Sequence, residues 1–496
     1  MEKLRRVLLA MPAAKPAIQS QLVSTYYDTP ALALHRGQLS LRVRKQGGKF
    51  VQTVKAENPT QMDVLERKEW EDRIPSEQPA LDAPKTGKWL SDVVRDEELR
   101  PVFVTTVTRT TIAINPDSSA RIEVAIDKGE IRACKGDAVA PISEIELELK
   151  NGDPRMIFDV ALQLLEVAPI HMETRSKAER GFRLLGTDGL IPEAVCVGPI
   201  TLDPAVRVEV ALERIGRRCL THLLSNEQAA LTGEPEGIHQ MRVAIRRLRA
   251  ALLALKRALP TKHYRWASKE LRWLAHALGP VRNWDIFTAC LVRPVVYALP
   301  PSPGFGGLIG ATERRRRAAL GQAKQAIVSE RYIESMLRLL QWFVAHGWRD
   351  QHISEHTVVL TRIVDVAPDL IARHHRKACK RSKRFDELTA TQRHRLRIAL
   401  KNLHYTIEFV GSLFDKNQVR TFVRSLKSLR DDLGHANDVR VAYDLVNQSS
   451  EATDHDARAV NRAGGIVLGW HERGLADRNP KLRKHVRRFR RLDPFW

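Results

Sequence analysis

The sequence has few cysteines and no long apolar run. Its five cysteines are scattered, with neither a metal-binding spacing nor a disulfide framework: Cys134, Cys196, Cys219, Cys290 and Cys379. This usage favours a reducing, cytoplasmic location. No stretch approaches the roughly 18 apolar residues of a membrane span, so no transmembrane segment is predicted. The first residues also make a poor signal peptide, because Pro12 soon interrupts the short apolar run Val7–Met11.

Aromatic residues are scarce as well. They make up 6% of the chain, and the basic stretches lack the interleaved stacking aromatics of proteins that bind single strands. No zinc-finger, RRM or homeodomain signature occurs. These absences place nucleic acid behind other polyanions as the predicted partner.

Acidic residues are in deficit, but only in the second half of the chain. The net charge is +23. Residues 1–200 hold 28 Lys and Arg against 29 Asp and Glu, whereas residues 201–496 hold 53 against 29. The whole cationic excess therefore lies in the second half, which predicts a polyanionic partner there.

Two stretches of the cationic half repeat one helical pattern. Residues 239–249 and 394–404 each place a His, an Arg, a basic residue and a further Arg or His at relative positions 0, 3, 7 and 10. On an α-helix these positions fall within an arc of about 80°. The opposite arc is apolar, so each helix packs on one face and presents a cation row on the other. The predicted polyanion-binding residues are His239, Arg242, Arg246 and Arg249, then His394, Arg397, Lys401 and His404.

The two halves also differ in hydrophobic period. Residues 20–185 alternate with period two over short runs, which is typical of strands with one wet face, and helical stretches intervene. Residues from 205 onward have helical period, except for a Pro- and Gly-rich connection at 294–310. The motif Leu-Gly-Pro-Val-Arg-Asn-Trp-Asp at 278–285 is echoed at 433–438, each copy about 40 residues after its row begins. We therefore predict an α+β domain over 1–186, a linker over 187–204 and an all-α domain over 205–496. The all-α domain would contain two duplicated helical bundles, about 205–300 and 311–496.

Charges gather on single faces of the predicted strands. Arg42 and Arg44 share one face of a strand, and Glu144, Glu146 and Glu148 share one face of another. Carboxylates two residues apart repel one another unless a cation lies between them. A barrel closed around a polar interior would hold phosphate on its basic groups and a divalent metal on its carboxylates. Oxygen ligands suit Mg²⁺ or Mn²⁺.

Six segments in chain order carry a resemblance to a known family: Ser24–Pro30 (STYYDTP), Leu39–Arg44 (LSLRVR), Gln52–Lys55 (QTVK), Arg121–Gly129 (RIEVAIDKG), Pro141–Glu148 (PISEIELE) and Ser176–Gly181 (SKAERG). Together they resemble the CYTH superfamily of triphosphate tunnel metalloenzymes, over about residues 18–186. The helical half resembles the CHAD domain, a histidine-containing module that binds inorganic polyphosphate. Bacterial proteins with this layout are inorganic triphosphatases. The resemblance implies that the first domain is an antiparallel β-barrel, the triphosphate tunnel.

The resemblance also implies roles for individual residues. Triphosphate would be bound by Arg42, Arg44, Lys55, Arg67, Arg109, Lys177 and Arg180. The metal, Mg²⁺ or Mn²⁺, would take its ligands from Glu123, Asp127, Glu144, Glu146 and Glu148. Metal and basic groups would neutralise the phosphate oxygens during in-line attack of water on the terminal phosphoryl group. The two cation rows of the helical half would bind polyphosphate.

One motif of this family does not occur at the start of the chain. The family begins with a strand carrying Glu-x-Glu-x-Lys, whereas residues 1–20 contain no such pattern. Residues 146–150 spell it, but their position matches the family's later acidic strand. We expect either a start upstream of Met1 or a barrel that lacks its first strand.

Three functions are compatible with the sequence. The first is metal-dependent hydrolysis of inorganic triphosphate, combined with polyphosphate binding by the helical domain. The second is a non-catalytic protein that binds or targets polyphosphate and has an incomplete tunnel. The third is an adenylate cyclase or a thiamine triphosphatase, which share the same barrel.

Overall fold

The computed structural model describes residues 1–11, 13–56, 69–94, 97–116, 120–186, 194–256, 259–301, 304–350, 358–450 and 457–496. The predicted phosphate ligand Arg67 and residues 187–193 of the predicted linker lie outside these ranges. The described residues form two compact units. One comprises Met1–Glu193 with Ile333–Ala345, and the other comprises Ala194–Tyr332 with His346–Trp496.

Strands build the first unit, as the period-two pattern predicts. Their bounds are β1 (Ile18–Asp28), β2 (Leu39–Gln46), β3 (Lys49–Ala56), β4 (Glu69–Ile74), β5 (Arg100–Ile114), β6 (Arg121–Ala133) and β7 (Val139–Asn151). In the described part of the chain these seven strands form one antiparallel sheet in the order β4-β3-β2-β1-β5-β6-β7. The helices that accompany them are α1 (Glu2–Leu9), α2 (Ala33–Arg36), α3 (Gly87–Val94), α4 (Arg155–Val167) and α5 (Lys177–Leu184). The predicted α+β class is thereby confirmed.

One face of the sheet is apolar and covered by helices. Leu41 and Val54 belong to a buried cluster that includes Leu90 of α3. Val124 of β6 belongs to a second cluster, to which α1 and α4 contribute Leu4 and Leu164. Because side chains alternate along a strand, the charged neighbours of these residues lie on the opposite face.

The sheet is open, so the predicted closed barrel is wrong for the described residues. Closure requires the two edge strands to hydrogen bond to each other. In the described ranges β4 pairs with β3 alone and β7 with β6 alone. The residues ahead of β1 include helix α1, whose Leu4 and Leu8 are buried in the core beneath the sheet. Helix α1 therefore packs against a face of the sheet instead of adding a strand to its edge.

The second unit is built from helices, which confirms the predicted all-α half. Their bounds are α6 (Val208–Leu224), α7 (Glu227–Thr232), α8 (Pro235–Ala254), α9 (Thr261–Ala277), α10 (Gly279–Ile286), α11 (Arg293–Ala298), α12 (Phe305–Ile327), α13 (Glu330–Val344), α14 (Ile363–Arg381), α15 (Ala390–Val410), α16 (Lys416–Ser450) and α17 (Ala457–Arg490). The later part of α13 belongs to the first unit. No helix in the described ranges is both long and apolar enough to cross a membrane.

The predicted connection at 294–310 is partly helical. Pro294 lies in the first turn of α11, and α12 begins at Phe305. Helix α11 directly follows a π-helical turn, Phe287–Val292, which continues α10 into α11.

The two helices that carry the cation rows pack against each other. Residues 239–249 lie in α8 and residues 394–404 lie in α15, and the two helices are in contact. Met241 and Leu248 of α8 and Leu400 of α15 are buried. The apolar arcs thus pack inside the unit, as the helical pattern predicts. This packing brings the two rows, which are 155 residues apart in sequence, close together in space.

Candidate functional site

The polar face of the sheet collects the charged residues that the sequence pattern singled out. In the antiparallel register Arg109 of β5 lies opposite Asp127 of β6, which lies opposite Glu144 of β7. Arg42 and Arg44 lie on the same face of β2 and Lys55 lies on that face of β3. One face therefore carries both the predicted phosphate ligands and the predicted metal ligands.

Three of the five predicted metal ligands form a cluster. Carboxylate oxygens of Asp127, Glu144 and Glu146 lie within 4.8 Å of one another. Arg109 binds this acidic cluster through a bidentate pair with Asp127, with distances of 2.8 Å from Nε to Oδ1 and 2.7 Å from Nη2 to Oδ2. Its Nη2 also lies 2.6 Å from an oxygen of Glu146.

Helix α5 adds two further cations above the acidic cluster. Lys177 Nζ lies 2.8 Å from Asp127 Oδ2 and 2.7 Å from Glu146 Oε1, and it also pairs with Glu144. Arg180 Nη2 lies 2.5 Å from Glu144 Oε2. The side chain of Ser176 caps α5 by accepting a hydrogen bond from the Glu179 N–H, at 2.9 Å. The cap fixes the first turn of the helix, in which Lys177 lies.

Close packing determines where α5 lies. Ala178 and Phe182 are buried against Phe103 and Val107 of β5. At Gly181 a Cβ atom would overlap the ring of Phe103. The helix therefore lies directly on the sheet because this position has no side chain.

Electrostatic pairing shifts the pKa values of Asp127 and Glu146 in the acidic cluster. Burial opposes ionisation, but the hydrogen bond from Arg109 and the charge of Lys177 lower the pKa of Asp127. Burial likewise opposes ionisation of Glu146, yet Lys177 and Arg109 lower its pKa. Burial disfavours the charged form of Lys177, but Glu146, Glu144 and Asp127 together raise its pKa. Asp127, Glu146 and Lys177 are thus each stabilised in the charged form.

The remaining basic groups of this face lie toward β2 and β3. Arg44 Nε donates to Ser24 Oγ at 2.9 Å, which fixes the orientation of the guanidinium group. Arg42 Nη2 lies 3.7 Å from Glu71, and Lys55 pairs with Glu69. The Nε atoms of Arg42 and Arg180 are buried and have no hydrogen-bond partner in the described part of the chain. Buried donors of this kind are available to bond to a water molecule or to a phosphate oxygen.

Burial also lowers the pKa values of Arg44 on β2 and Lys55 on β3. Burial, and then the charge of Arg42, lower the pKa of Arg44 to about 10. The same two causes lower the pKa of Lys55, while Glu69 acts in the opposite direction. The positive charges are therefore crowded on this side of the face, and an anion that binds there would relieve their repulsion.

The other two predicted metal ligands lie elsewhere. Glu123 pairs across the sheet with Glu148, and Lys150 Nζ lies 2.7 Å from Glu148 and 3.8 Å from Glu123. Glu123 is four residues from Asp127 along β6, which corresponds to about 13 Å. The sequence could not separate these residues from the acidic cluster, because Glu123 shares a face of β6 with Asp127 and Glu148 shares a face of β7 with Glu146.

The acidic cluster is chemically suited to a hard divalent cation. Three carboxylates offer oxygen ligands only, as Mg²⁺ and Mn²⁺ prefer. The ammonium group of Lys177 lies among the same oxygens. A metal ion bound by Asp127, Glu144 and Glu146 would therefore compete with Lys177 for them, and Lys177 would become free to pair with phosphate.

The second unit contains a different charged site, built by α8 and α15. Its members are Arg242, Arg246, Arg397 and Lys401, with Arg282 of α10 and Arg430 of α16; we refer to them as the cationic cluster. Arg246 Nε donates to Tyr405 Oη at 3.2 Å, and Arg242 Nη1 donates to the carbonyl oxygen of Ala275 at 2.9 Å. These bonds link the cations to neighbouring helices.

In the cationic cluster, the pKa values of Arg242 and Lys401 are shifted in the direction that crowding predicts. Burial, followed by Arg246, Arg282 and Arg397, lowers the pKa of Arg242 to about 10. Burial, followed by Arg397 and Arg246, lowers the pKa of Lys401 to about 6. The Nε atoms of Arg242, Arg282 and Arg397 are buried without a hydrogen-bond partner among the described residues. The cationic cluster therefore offers unused donors to an anion.

The four histidine and arginine positions at the ends of the rows have different surroundings. Burial and the charge of Arg282 lower the pKa of His239 to about 4, and burial and the charge of Arg430 lower that of His404 to about 3. His394 Nδ1 lies 2.7 Å from Asn437 Oδ1. Arg249 lies near Arg272 of α9 instead of the cationic cluster.

The row pattern did not predict Arg282 or the contacts made by Asn437 and Asp438. Arg282 acts electrostatically on His239 and Arg242. Asp438 Oδ1 lies 4.0 Å from Arg397 Nη2. The signal was present, because all three residues belong to the echoed motifs at 278–285 and 433–438. On the sheet, Ser24, Glu69 and Glu71 were likewise missed, and only the strand register places them beside their partners.

Comparisons with known proteins match the two units separately. Residues 3–182 match the family model of the CYTH domain, and residues 214–447 match that of the CHAD domain. An inorganic triphosphatase from Haemophilus influenzae is 32% identical over 166 residues, which cover 34% of this chain and 46% of that protein. The match therefore spans less than half of the relative.

The chain also resembles solved structures. The CHAD domain from the plant Ricinus communis gives a TM-score of 0.51 at 26% identity, covering 61% of this chain and 97% of that one. PptA from Streptomyces chartreusis gives a TM-score of 0.42 at 15% identity, covering 57% and 99%. The plant domain supports the assignment of the helical fold.

Proposed function

Because this chain joins a CYTH domain to a CHAD domain, we propose that it hydrolyses inorganic triphosphate on the polar face of its sheet. The observation that carries the proposal is the acidic cluster of Asp127, Glu144 and Glu146 beside the basic groups Arg42 and Arg44. Neutralising a phosphate chain and binding a divalent metal are the two requirements of phosphoryl transfer to water. The relation to an inorganic triphosphatase supports the same chemistry.

The proposed mechanism relies on positioning and charge. Arg44, oriented by Ser24, and Arg42, with its buried free Nε, would bind phosphate oxygens together with Lys55. Asp127, Glu144 and Glu146 would hold Mg²⁺ or Mn²⁺, which when bound polarises the phosphoryl group. Arg109 remains paired with Asp127 and keeps this carboxylate ionised. Charge on the equatorial oxygens is thus neutralised as water attacks in line.

The test is phosphate release by the full chain from triphosphate, with Mg²⁺ or Mn²⁺ and with neither. Metal-dependent release supports the proposal, and its absence in every condition contradicts it. ATP and thiamine triphosphate in the same assay, with detection of cyclic AMP, test the adenylate cyclase and thiamine triphosphatase alternatives. Preference for either compound over inorganic triphosphate would replace the proposed substrate.

A non-catalytic protein is the second candidate, and one observation favours it. The carboxylates of the acidic cluster are already paired with Arg109, Lys177 and Arg180. If these pairs persist in solution, metal cannot enter. Titration of Mn²⁺ followed by electron paramagnetic resonance decides between the candidates, because the second requires no Mn²⁺ binding at millimolar concentration.

We further propose that the helical domain, residues 205–496 with related halves over about 205–300 and 311–496, binds inorganic polyphosphate. The cationic cluster supplies closely spaced donors on two helices, and several of its Nε atoms lack partners among the residues described. Nucleic acid is the alternative polyanion. Direct competition between polyphosphate and single-stranded RNA for the full chain distinguishes the two.

The double variant Arg242→Glu and Arg397→Glu tests where polyphosphate binds. We expect affinity to fall on the order of 100-fold, because two repulsive charges replace two partly buried cations. The matched control is the single variant Arg249→Glu, in the same row but outside the cationic cluster. An equal loss in both variants would contradict the assigned site.

A further inference from the structure

The cationic cluster contains more positive charge than its surroundings neutralise. Asp438 lies 4.0 Å from Arg397, and Glu408 lies 2.7 Å from the buried Arg247. The nearby carboxylates thus already have cationic partners. Any further positive charge in this half-buried site must form beside like charges.

Lys401 is the member of the cationic cluster whose surroundings oppose its charge from several sides. It is half-buried on α15. Arg397 lies one turn before it on α15, and Arg246 of α8 donates to Tyr405, one turn after it. Arg430 and the carboxylate Asp438 act on it from α16. Helix α14 also packs on α15, and its Arg381 donates to the carbonyl oxygen of Arg395. Cations therefore outnumber anions around this amine.

We propose that the cationic cluster binds a phosphate chain together with a proton, which is taken up by Lys401. In the empty site the Lys401 amine is neutral, because ionised it would lie beside three arginines. Phosphate oxygens entering the site reverse the local field and favour the ammonium form. The proton comes from solvent and no covalent bond is made or broken. This inference rests on the proposed polyphosphate binding and adds a link between that binding and pH.

Two observations, one on Lys401 and one on neighbouring histidines, support proton uptake by Lys401. Burial and neighbouring cations lower the pKa of Lys401 to about 6, so the amine of the empty site is mostly neutral at pH 7.5. The buried Nδ1 atoms of His239 and His404 have no hydrogen-bond partner among the described residues. The pKa values of these two rings, about 4 and about 3, lie so far below 7.5 that Lys401 is the group expected to take up the proton.

The linkage fixes the direction of the pH effect. Above the pKa of the empty site, each proton taken up on binding weakens affinity by up to about tenfold per pH unit. Polyphosphate affinity is therefore expected to fall steadily from pH 7 to pH 9. A site whose cations remain charged throughout would show a flat profile over this range.

The experiment is calorimetric titration of the full chain with a short linear polyphosphate at pH 7.5. Titrations in HEPES and in Tris, which differ in ionisation enthalpy, give the number of protons taken up. Heat from the sheet domain is measured with the Arg242→Glu and Arg397→Glu double variant and subtracted. We expect an uptake of close to one proton per site.

Three single variants test the role of Lys401. Lys401→Arg keeps a cation at every pH, so its uptake should vanish and its affinity should stay constant from pH 7 to pH 9. Lys401→Met should also lose the uptake and bind more weakly. Lys416→Met removes an exposed lysine of α16 and should keep the native pH profile.

The outcomes separate this inference from the function on which it rests. Polyphosphate binding without proton uptake by the native chain, or with an unchanged profile in Lys401→Arg, overturns the inference and leaves the binding site intact. No binding at any pH overturns both. The native titration does not depend on the folding of a variant.

Discussion

The acidic cluster of the sheet and the cationic cluster of the helical unit handle positive charge in opposite ways. On the sheet, Arg109 and Lys177 pair closely with carboxylates of β6 and β7. In the cationic cluster, Arg242 and Arg397 are crowded by other arginines and retain buried donors without partners. The first arrangement is electrostatically balanced before any ligand arrives. The second is repulsive until an anion binds.

This difference matches the two kinds of chemistry proposed. Hydrolysis requires a metal and a phosphate chain to be held in one geometry, so both signs of charge must be present in a directional network. Retention of a linear polyanion requires only closely spaced cations. The carboxylates of the sheet therefore have no counterpart of similar density in the cationic cluster.

The largest expected effect is at Glu146. We expect Glu146→Gln to weaken Mn²⁺ binding and triphosphate hydrolysis by about 100-fold or more, because it removes a charged ligand of the acidic cluster. The matched control is Glu148→Gln, two residues along the same face but paired with Lys150. Metal titration and phosphate release measure both variants. Equal losses would mean that the metal site extends along β7.

The second-largest effect is the salt dependence of binding, which should differ between the two sites. Four neutralised phosphates predict a fall in polyphosphate affinity of about 50-fold between 50 and 200 mM salt. The KM for triphosphate should change less, because metal coordination and directional hydrogen bonds are weakly screened. Binding and kinetic measurements at matched salt concentrations check this. A steeper salt dependence on the sheet would reverse the comparison.

The position of α5 can be tested through Gly181. The Gly181→Ala variant should lose about 1–3 kcal/mol of unfolding free energy and most triphosphatase activity, because its Cβ would displace α5 and with it Lys177. Urea unfolding and phosphate release measure the two effects. The control is Gly474→Ala in α17, where a Cβ meets nothing within 4 Å. Polyphosphate binding should survive in both variants.

The smallest effect is on the pH dependence of stability. Unfolded Lys401 keeps its proton up to about pH 10.5, but the folded protein has lost it above about pH 6, so its contribution to stability rises with pH between those values. Lys401→Met should therefore reduce the pH slope of the unfolding free energy by about 1 kcal/mol per pH unit near pH 7.

Asp127 gives the corresponding effect in acid. Its pKa is lowered, so its stabilisation is present above pH 3.8 and is lost as pH falls further. Asp127→Asn should therefore change the slope in acid only.

The sequence was informative wherever a pattern is local. Period-two alternation predicted the strands that carry Arg42 and Glu144, and the 0, 3, 7, 10 spacing predicted the helices that carry Arg242 and Arg397. It did not predict that the sheet is open, because edge pairing depends on strands distant in the chain. It also did not distinguish Glu148 from Glu146, because both lie on one face of β7 and only their cross-strand neighbours differ.

By itself, the sequence determined the α+β first half, the helical second half and the concentration of the cationic excess in the latter. These features follow from periodicity and composition, which are properties of neighbouring residues. Tertiary structure decided which charges meet. Register brought Arg109 to Asp127, the absence of a side chain at Gly181 let α5 carry Lys177 to the same carboxylates, and packing of α8 on α15 joined two rows 155 residues apart. Electrostatic interaction falls off with distance in space, so the chemistry of each site depends on these contacts.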